Sequence, residues 1–318
     1  MTTYRYCIFA LAVFATVPAG SQTLWKEPPP ATMSDWTWGP GGRESVPQPP
    51  FTFLKEKMDG TNSKVEVRDA ANRIWVVKFG SEVHSDTFAP RLLHVLGYAA
   101  TPTYYVAEGT ISDVHGLKRA KYFVSKTGAF QNARFKLHHG DAAGAKSTTW
   151  SWTENPFVGS HELGGLKILM MLTSNWDAKD ARDGDGESNN ATVGAGWYAV
   201  TDWGASMGKT GGYFSRARWD WIGYRTQTAR FVRAAPDGSL VWAFKGKHGQ
   251  DITGGVRVED VRWLMTYLAR VTDEGLQAGF VASGASPAVA SEFTSCVRAR
   301  IDQLQRVTES STVERAAK

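Results

Sequence analysis

The chain has 318 residues, 42% of them hydrophobic and 21% charged, with a formal net charge of +5. That is enough chain for one large domain or two modest ones around a sizeable core. The composition excludes a wholly disordered, collagen-like or multi-pass membrane protein, and two cysteines exclude a disulfide-stapled miniprotein. Thirteen tryptophans point to a rigid, aromatic-rich surface or core.

In chain order, the first feature is Arg5, then an apolar run from Tyr6 to Val17, then Pro18-Ala19-Gly20-Ser21. This is the pattern of a secretory signal peptide ending near residue 22, so a secreted or periplasmic protein is expected. No later run reaches the roughly 18 apolar residues of a membrane span. Cleavage leaves Cys296 as the one cysteine, read as a core thiol on a late helix, with no internal disulfide. Residues 23–50, rich in Pro, Gly and Trp, read as an irregular arm.

From Phe51 the pattern changes. Lys64–Arg68, the turn Asp69–Asn72 and Ile74–Phe79 make a hairpin. A helix follows, capped by Ser85 or Asp86, with Phe88, Leu92, Val95 and Leu96 on one face and Gly97 at its end. Thr103–Ala107 and Ala120–Val124 read as further strands, giving a sheet with one helix against it. His161–Thr173 is apolar nearly all round, as a buried helix is. Tyr198–Thr201 is a short strand. Val261, Leu264, Met265 and Leu268 mark one late helix, and Val289, Phe293, Val297, Ile301 and Leu304 mark another. The fold class is therefore α+β: a β-rich part over residues 51–125 and a helical part over 126–318, with a natural ligand groove between them.

Between Lys209 and Lys247 eight basic residues stand against Asp220 and Asp237, which suits an acidic or phosphate-bearing partner. No zinc-finger spacing or basic-aromatic RNA motif is present, so nucleic acid is not expected. Asp183-Gly-Asp185-Gly-Glu187 has the alternating oxygens of a calcium loop. Ser188 stands where that loop needs Gly, so an exposed acidic insertion fits better. His138-His139 are adjacent and point apart, and His161-Glu162 lacks a second histidine, so neither makes a zinc site. No Gly-x-Ser-x-Gly nucleophile elbow occurs.

Phosphoryl transfer needs a flexible backbone cover and a fixed cation for phosphate, hard oxygen ligands for a metal, and a carboxylate for the acceptor hydroxyl. The sequence supplies these in one order: Gly60-Thr61-Asn62-Ser63-Lys64 in the first hairpin, Lys78 at a strand end, Asp177-Ala-Lys179, Asn189-Asn190, and Asp202-Trp203-Gly204 after a short strand. This set resembles the protein-kinase-like superfamily: its strand lysine, its Asp-x-Lys-x-x-Asn catalytic loop and its Asp-Phe-Gly motif. The Gly60–Lys64 loop is closer to atypical members such as the HipA-type and phosphatidylinositol-kinase-like kinases. The matched span runs from about Gly60 to Gly204, and the helical remainder matches in general character.

The resemblance implies a two-lobed fold and an exported enzyme that moves a phosphoryl group from a Mg²⁺-nucleotide, ATP by analogy, to a hydroxyl. It implies that Gly60–Lys64 and Lys78 bind phosphate, that Asp177 is the base and Lys179 steadies the transferring group. Asp202 and Asn190 or Asn189 would hold Mg²⁺. The alternative is a catalytically inactive kinase-like scaffold that binds an anionic ligand or a protein. Two departures stand out. Eight residues separate Asp180 from Asn189 where the family loop has about two, a length that either loops outward or spoils the register. Glu82 comes too soon after Lys78 for the usual helix glutamate, and the following helix offers no acid besides Asp86, so the ion-pair partner of Lys78 is open.

Overall fold

A computed structural model describes residues 22–138, 148–184, 188–194 and 196–316, with side chains to Glu309. The expected signal peptide, residues 1–21, lies outside the described residues. The protein is a mixed α+β structure. Strands β1 (Phe51–Lys57), β2 (Lys64–Arg68), β3 (Ile74–Phe79), β4 (Thr103–Ser112) and β5 (Ala129–Leu137) close into a barrel in the order β1-β2-β3-β5-β4. Alternation decides its two faces. Val65, Val67, Trp75, Val77, Phe79, Ala133 and Phe135 turn inward and are buried. Their neighbours Glu66, Lys78, Arg134 and Lys136 therefore share the opposite face, with Lys78 directly across from Arg134 in the β3–β5 pair. The β2–β3 turn forms because Asp69 Oδ1 accepts the N–H groups of Ala71 and Arg73, at 3.0 and 2.9 Å, while Asn72 takes φ +62°.

Helix α1 (Met33–Trp38) precedes the barrel and α2 (Ser85–Val95) lies between β3 and β4. After the barrel come α3 (His161–Leu172), the hairpin β6 (Asn190–Val193) and β7 (Trp197–Val200), and α4 (Trp221–Thr228). The hairpin β8 (Val232–Ala234) and β9 (Leu240–Trp242) follows. Helices α5 (Gly249–Thr253), α6 (Val258–Leu268), α7 (Asp273–Ala282) and α8 (Pro287–Ala316) complete the chain. Helix α3 is the centre of the larger apolar core, with Leu166, Ile168, Leu169 and Met170 at 0–1% exposure. A Cβ on Gly165 would come within 2.6 Å of the Trp263 ring, so that glycine is what lets α6 close on α3. The Ser160 side chain caps α3 by accepting the Leu163 N–H at 3.2 Å. Ser160→Ala is expected to cost about 1 kcal/mol, read as a lower urea midpoint at unchanged slope.

One expectation is corrected and two are made finer. Residues 23–50 are mostly irregular, and they pack on the rest of the protein: Leu24 and Trp36 are buried, Trp25 bridges to Tyr98, and Arg91 donates to the carbonyls of Trp36 and Thr37, both at 3.1 Å. Tryptophans near the start of a chain bury large area when a core is at hand, and that outweighs proline stiffness. Ala120–Val124 is no strand; Ala120–Tyr122 is a 3₁₀ turn, and the pairing strand is β5, beyond residue 125. Third, α2 stands against the sheet, with Asp86 of its first turn on Lys78 and Arg134, while its apolar face turns to the larger core. Phe88, Leu92 and Leu93 join the larger core, where Phe88 stacks on Phe280 with centroids 3.7 Å apart.

Candidate functional site

That placement leaves the first turn of α2 facing the outer, polar side of β3 and β5. Lys78 is 3% exposed, and its Nζ lies 2.8 Å from Asp86 Oδ2, 3.0 Å from Glu82 Oε2 and 3.3 Å from Asp202 Oδ2. Asp86 Oδ2 also takes Arg134 Nη2 at 2.7 Å. Both Glu82 and Asp86 therefore partner the strand lysine. The turn Gly80–His84 folds back and returns Glu82 to it, and Glu82 also binds Arg218 and accepts from Asn62 at 2.6 Å. Burial alone would lower the Lys78 pKa, but Asp202 and Asp86 raise it above its ordinary value. Burial would raise Asp86, yet Arg134 and Lys78 hold it well below the usual carboxylate range.

The Asp202-Trp203-Gly204 turn is tied to α2 from both ends. Asp86 Oδ1 accepts the Trp203 N–H at 3.0 Å and Ser85 Oγ donates to the Gly204 carbonyl at 2.8 Å. This is why neither residue caps the helix as expected: their side chains are spent on the turn. A Cβ on Gly204 would meet Glu82 Oε2 at 2.5 Å, so the approach requires glycine there. Asp202 keeps 41% side-chain exposure while Oδ1 accepts the Gly204 N–H at 2.9 Å. Desolvation pushes its pKa up and Lys78 more than offsets this, leaving it lowered.

Asp177 stands on the loop after α3, 29% exposed, with Lys179 Nζ 3.5 Å from its Oδ2. Buried Asn175, a residue that the sequence reading passed over, joins the two loops: its Oδ1 accepts the Asp177 N–H and its Nδ2 donates to the Asp202 carbonyl, both at 3.3 Å. Its one sequence signal is a polar amide three residues after a largely apolar helix. Asn189 Nδ2 donates to the Asp177 carbonyl at 2.7 Å and its N–H to the Lys179 carbonyl at 3.0 Å. These two bonds hold Asn189 beside the Asp177–Lys179 loop. Asn190 goes elsewhere: it is fully buried at the start of β6, with Nδ2 3.4 Å from the Trp150 carbonyl.

No protein-family model matches the chain, and no curated protein or solved structure does either.

The Gly60–Ser63 loop carries Gly60 at φ +63° and is clamped from outside by Arg119, which donates to the carbonyls of Met58 at 3.1 Å and Gly60 at 3.0 Å, and to that of Thr61. Asn62 turns toward Glu82, and Lys64, the cross-strand partner of Lys78, pairs with Asp59 at 2.9 Å. Across the site, Trp176, next to Asp177, donates to the Ala217 carbonyl at 3.0 Å and carries the Arg216 guanidinium 3.9 Å above its ring. The basic segment from Lys209 thus begins beside Asp177, with Tyr213 and Phe214 fully out in solvent.

Two other features lie apart. Asp180, Asp183 and His248 place ligand atoms within 4.8 Å of one another. Arg182 already pairs with Asp180 at 2.6 Å and Lys247 with Asp183, so the group works as an ion-pair bracket at the base of the insertion. Residues 185–187 of the acidic run lie outside the described residues. An open groove of about 890 Å³ runs along the β4–β5 hairpin, lined by Tyr122, Phe123 and Gln131 among others; it contains none of the expected site residues. Among the described residues no helix is long and apolar enough to cross a membrane.

Proposed function

We propose that the chain is an exported, two-lobed kinase-like phosphotransferase that moves a phosphoryl group from a Mg²⁺-nucleotide to a hydroxyl acceptor. The observation that carries this is the meeting of Lys78, Asp86 and Asp202 in one charge cluster beside the Asp177–Asn189 loop. Asp202, a carboxylate with exposed surface, and the Asn189 amide oxygen are hard donors that fit Mg²⁺; Asn190, buried against Trp150, does not. Bound Mg²⁺-nucleotide supplies the phosphoryl group and the charge that offsets its oxygens.

The protein's own part is positioning. Lys78 fixes a phosphate oxygen, the Gly60–Ser63 loop covers the chain of phosphates, and Asp177 orients the acceptor hydroxyl and takes its proton. Lys179, next to Asp177, offers its ammonium to the transferring group. Arg216 and the basic segment behind it favour an acidic or phosphate-bearing acceptor.

One observation favours the second reading, an inactive scaffold for an anionic or protein ligand. Lys78 is already surrounded by three carboxylates. Thermal unfolding separates the two. With about a hundredfold excess of Mg²⁺-ATP over Kd the protein gains about 2.7 kcal/mol, and Asp202→Ala loses the gain. An unchanged melting curve in folded protein leaves the scaffold.

A further inference from the structure

The outer face of the barrel carries more positive charge at the cleft than its carboxylates need. Lys78, Arg134, Lys136 and Arg218 meet Glu82, Asp86 and Asp202 there. Two of the cations, Arg134 and Lys136, have no part in the motif set around Lys78. Strand geometry places them. Arg134 sits opposite Lys78 in the β3–β5 pair, and Lys136, two residues on, points to the same face. Lys136 Nζ donates to the carbonyl of Thr201, the residue before Asp202, at 2.8 Å.

Arg134 is 4% exposed, and one of its three nitrogens, Nη2, meets Asp86. Its Nε and Nη1 are buried with no hydrogen-bond partner. A buried guanidinium N–H left unpaired costs free energy, and the group that most naturally satisfies it is an oxyanion, which accepts from Nε and a terminal nitrogen together. Lys136 adds to the cost. Burial and the nearby Arg134 bring its pKa down to about 8, so its charge is held against its surroundings. A buried cation crowded by a second one is a candidate for ligand binding when unpaired donors stand beside it, as Arg134 Nε and Nη1 do here.

We propose that Arg134 and Lys136 extend the Lys78 site into an oxyanion-binding floor for a polyphosphate chain, one that holds the anion without a divalent metal. The floor deepens the phosphotransferase reading and rests on it only for the source of the anion, a nucleotide or free polyphosphate. The anion's oxygens take Arg134 Nε and Nη1 and the Lys136 ammonium, and Lys78 completes the set. Carboxylates alone do not supply such a ligand from within, since Asp86 and Asp202 are already engaged by Lys78.

The test is calorimetric titration of the full chain with inorganic pyrophosphate in EDTA, and separately with Mg²⁺-ATP. Wild type binds pyrophosphate without metal, more weakly as salt rises. Lys136→Met removes a crowded cation, so it folds at least as stably, and Arg134→Lys keeps a cation on Asp86; circular dichroism checks both. Each variant weakens pyrophosphate by about tenfold or more, the loss of a charge-assisted hydrogen bond. Pyrophosphate binding that is equal in wild type and both variants overturns the proposal. So does a wild type that binds Mg²⁺-ATP through Asp202 yet ignores pyrophosphate in EDTA, a result that spares the phosphotransferase. Variant-sensitive pyrophosphate binding with no response to Mg²⁺-ATP supports the floor and removes the nucleotide. Binding of neither sinks both.

Discussion

Asp86→Ala is expected to lower the unfolding free energy by about 3–5 kcal/mol, as removal of one partner from a buried ion pair does. The carboxylate is 5% exposed and holds Lys78 at 2.8 Å, Arg134 at 2.7 Å and the Trp203 N–H at 3.0 Å. Truncation leaves two buried cations short of a counter-charge and frees the Asp202 turn from α2. Asp86→Asn keeps an acceptor for the backbone and should fall between. Urea midpoints of the three proteins at neutral pH measure this, and a loss below about 1 kcal/mol for the alanine variant contradicts it.

The same carboxylate sets the acid limb of stability. Its folded pKa lies below the unfolded value of about 3.9, so its contribution is complete above that pH and is lost as pH falls through the lower folded value. Lys78 is the other half of the same interaction, with a raised pKa, so that half fails only as pH climbs above its ordinary value near about 10.4. The protein should therefore lose stability steeply below about pH 4, and Asp86→Asn should flatten that limb. An equally steep limb in the variant would place the acid sensitivity elsewhere.

The second large effect is on the reaction. If the proposed phosphotransferase reading holds, Asp177→Asn slows phosphoryl transfer by about 10²–10⁴, the usual worth of a positioned base and about 2.7–5.5 kcal/mol of barrier. Nucleotide binding should stay as it was, because among the described residues Asp177 pairs with Lys179 and not with the Lys78 cluster. Release of nucleoside diphosphate reads the rate, and the Mg²⁺-ATP thermal shift reads the binding. Asp202→Ala should lose both. A full rate in Asp177→Asn would falsify its assignment as base while leaving the cleft intact.

Most of the site was legible because its residues lie in short local patterns. Lys78 follows a β-rich run, and Asp202-Trp203-Gly204 follows a strand. Ile74–Phe79 read as a strand from its β-rich composition, but which of its side chains face the barrel interior emerged only from the pairing of β3 with β2 and β5. What sequence spacing could not show was distance through space. Glu82 stood too early for a partner on a helix, but it sits on a turn, and a turn can fold back where a helix cannot. Which of Asn189 and Asn190 lies beside Asp177 depended on how the chain returns after an eight-residue insertion, and two hydrogen bonds from Asn189 to the Asp177–Lys179 loop place it there.

By itself, then, the sequence determined the α+β class, the buried helix α3, the β2–β3 hairpin and the order of the charged motifs, because periodicity and turn chemistry act over a few residues. Only the tertiary structure decided that Leu24 and Trp36 before the barrel join the core, that β5 rather than Ala120–Val124 pairs with β3 and β4, and that Arg134, Lys136 and Asn175 lie beside the Asp86 and Asp202 region. Those outcomes rest on contacts between distant segments, where large buried area and the pairing of buried charge outweigh local preference.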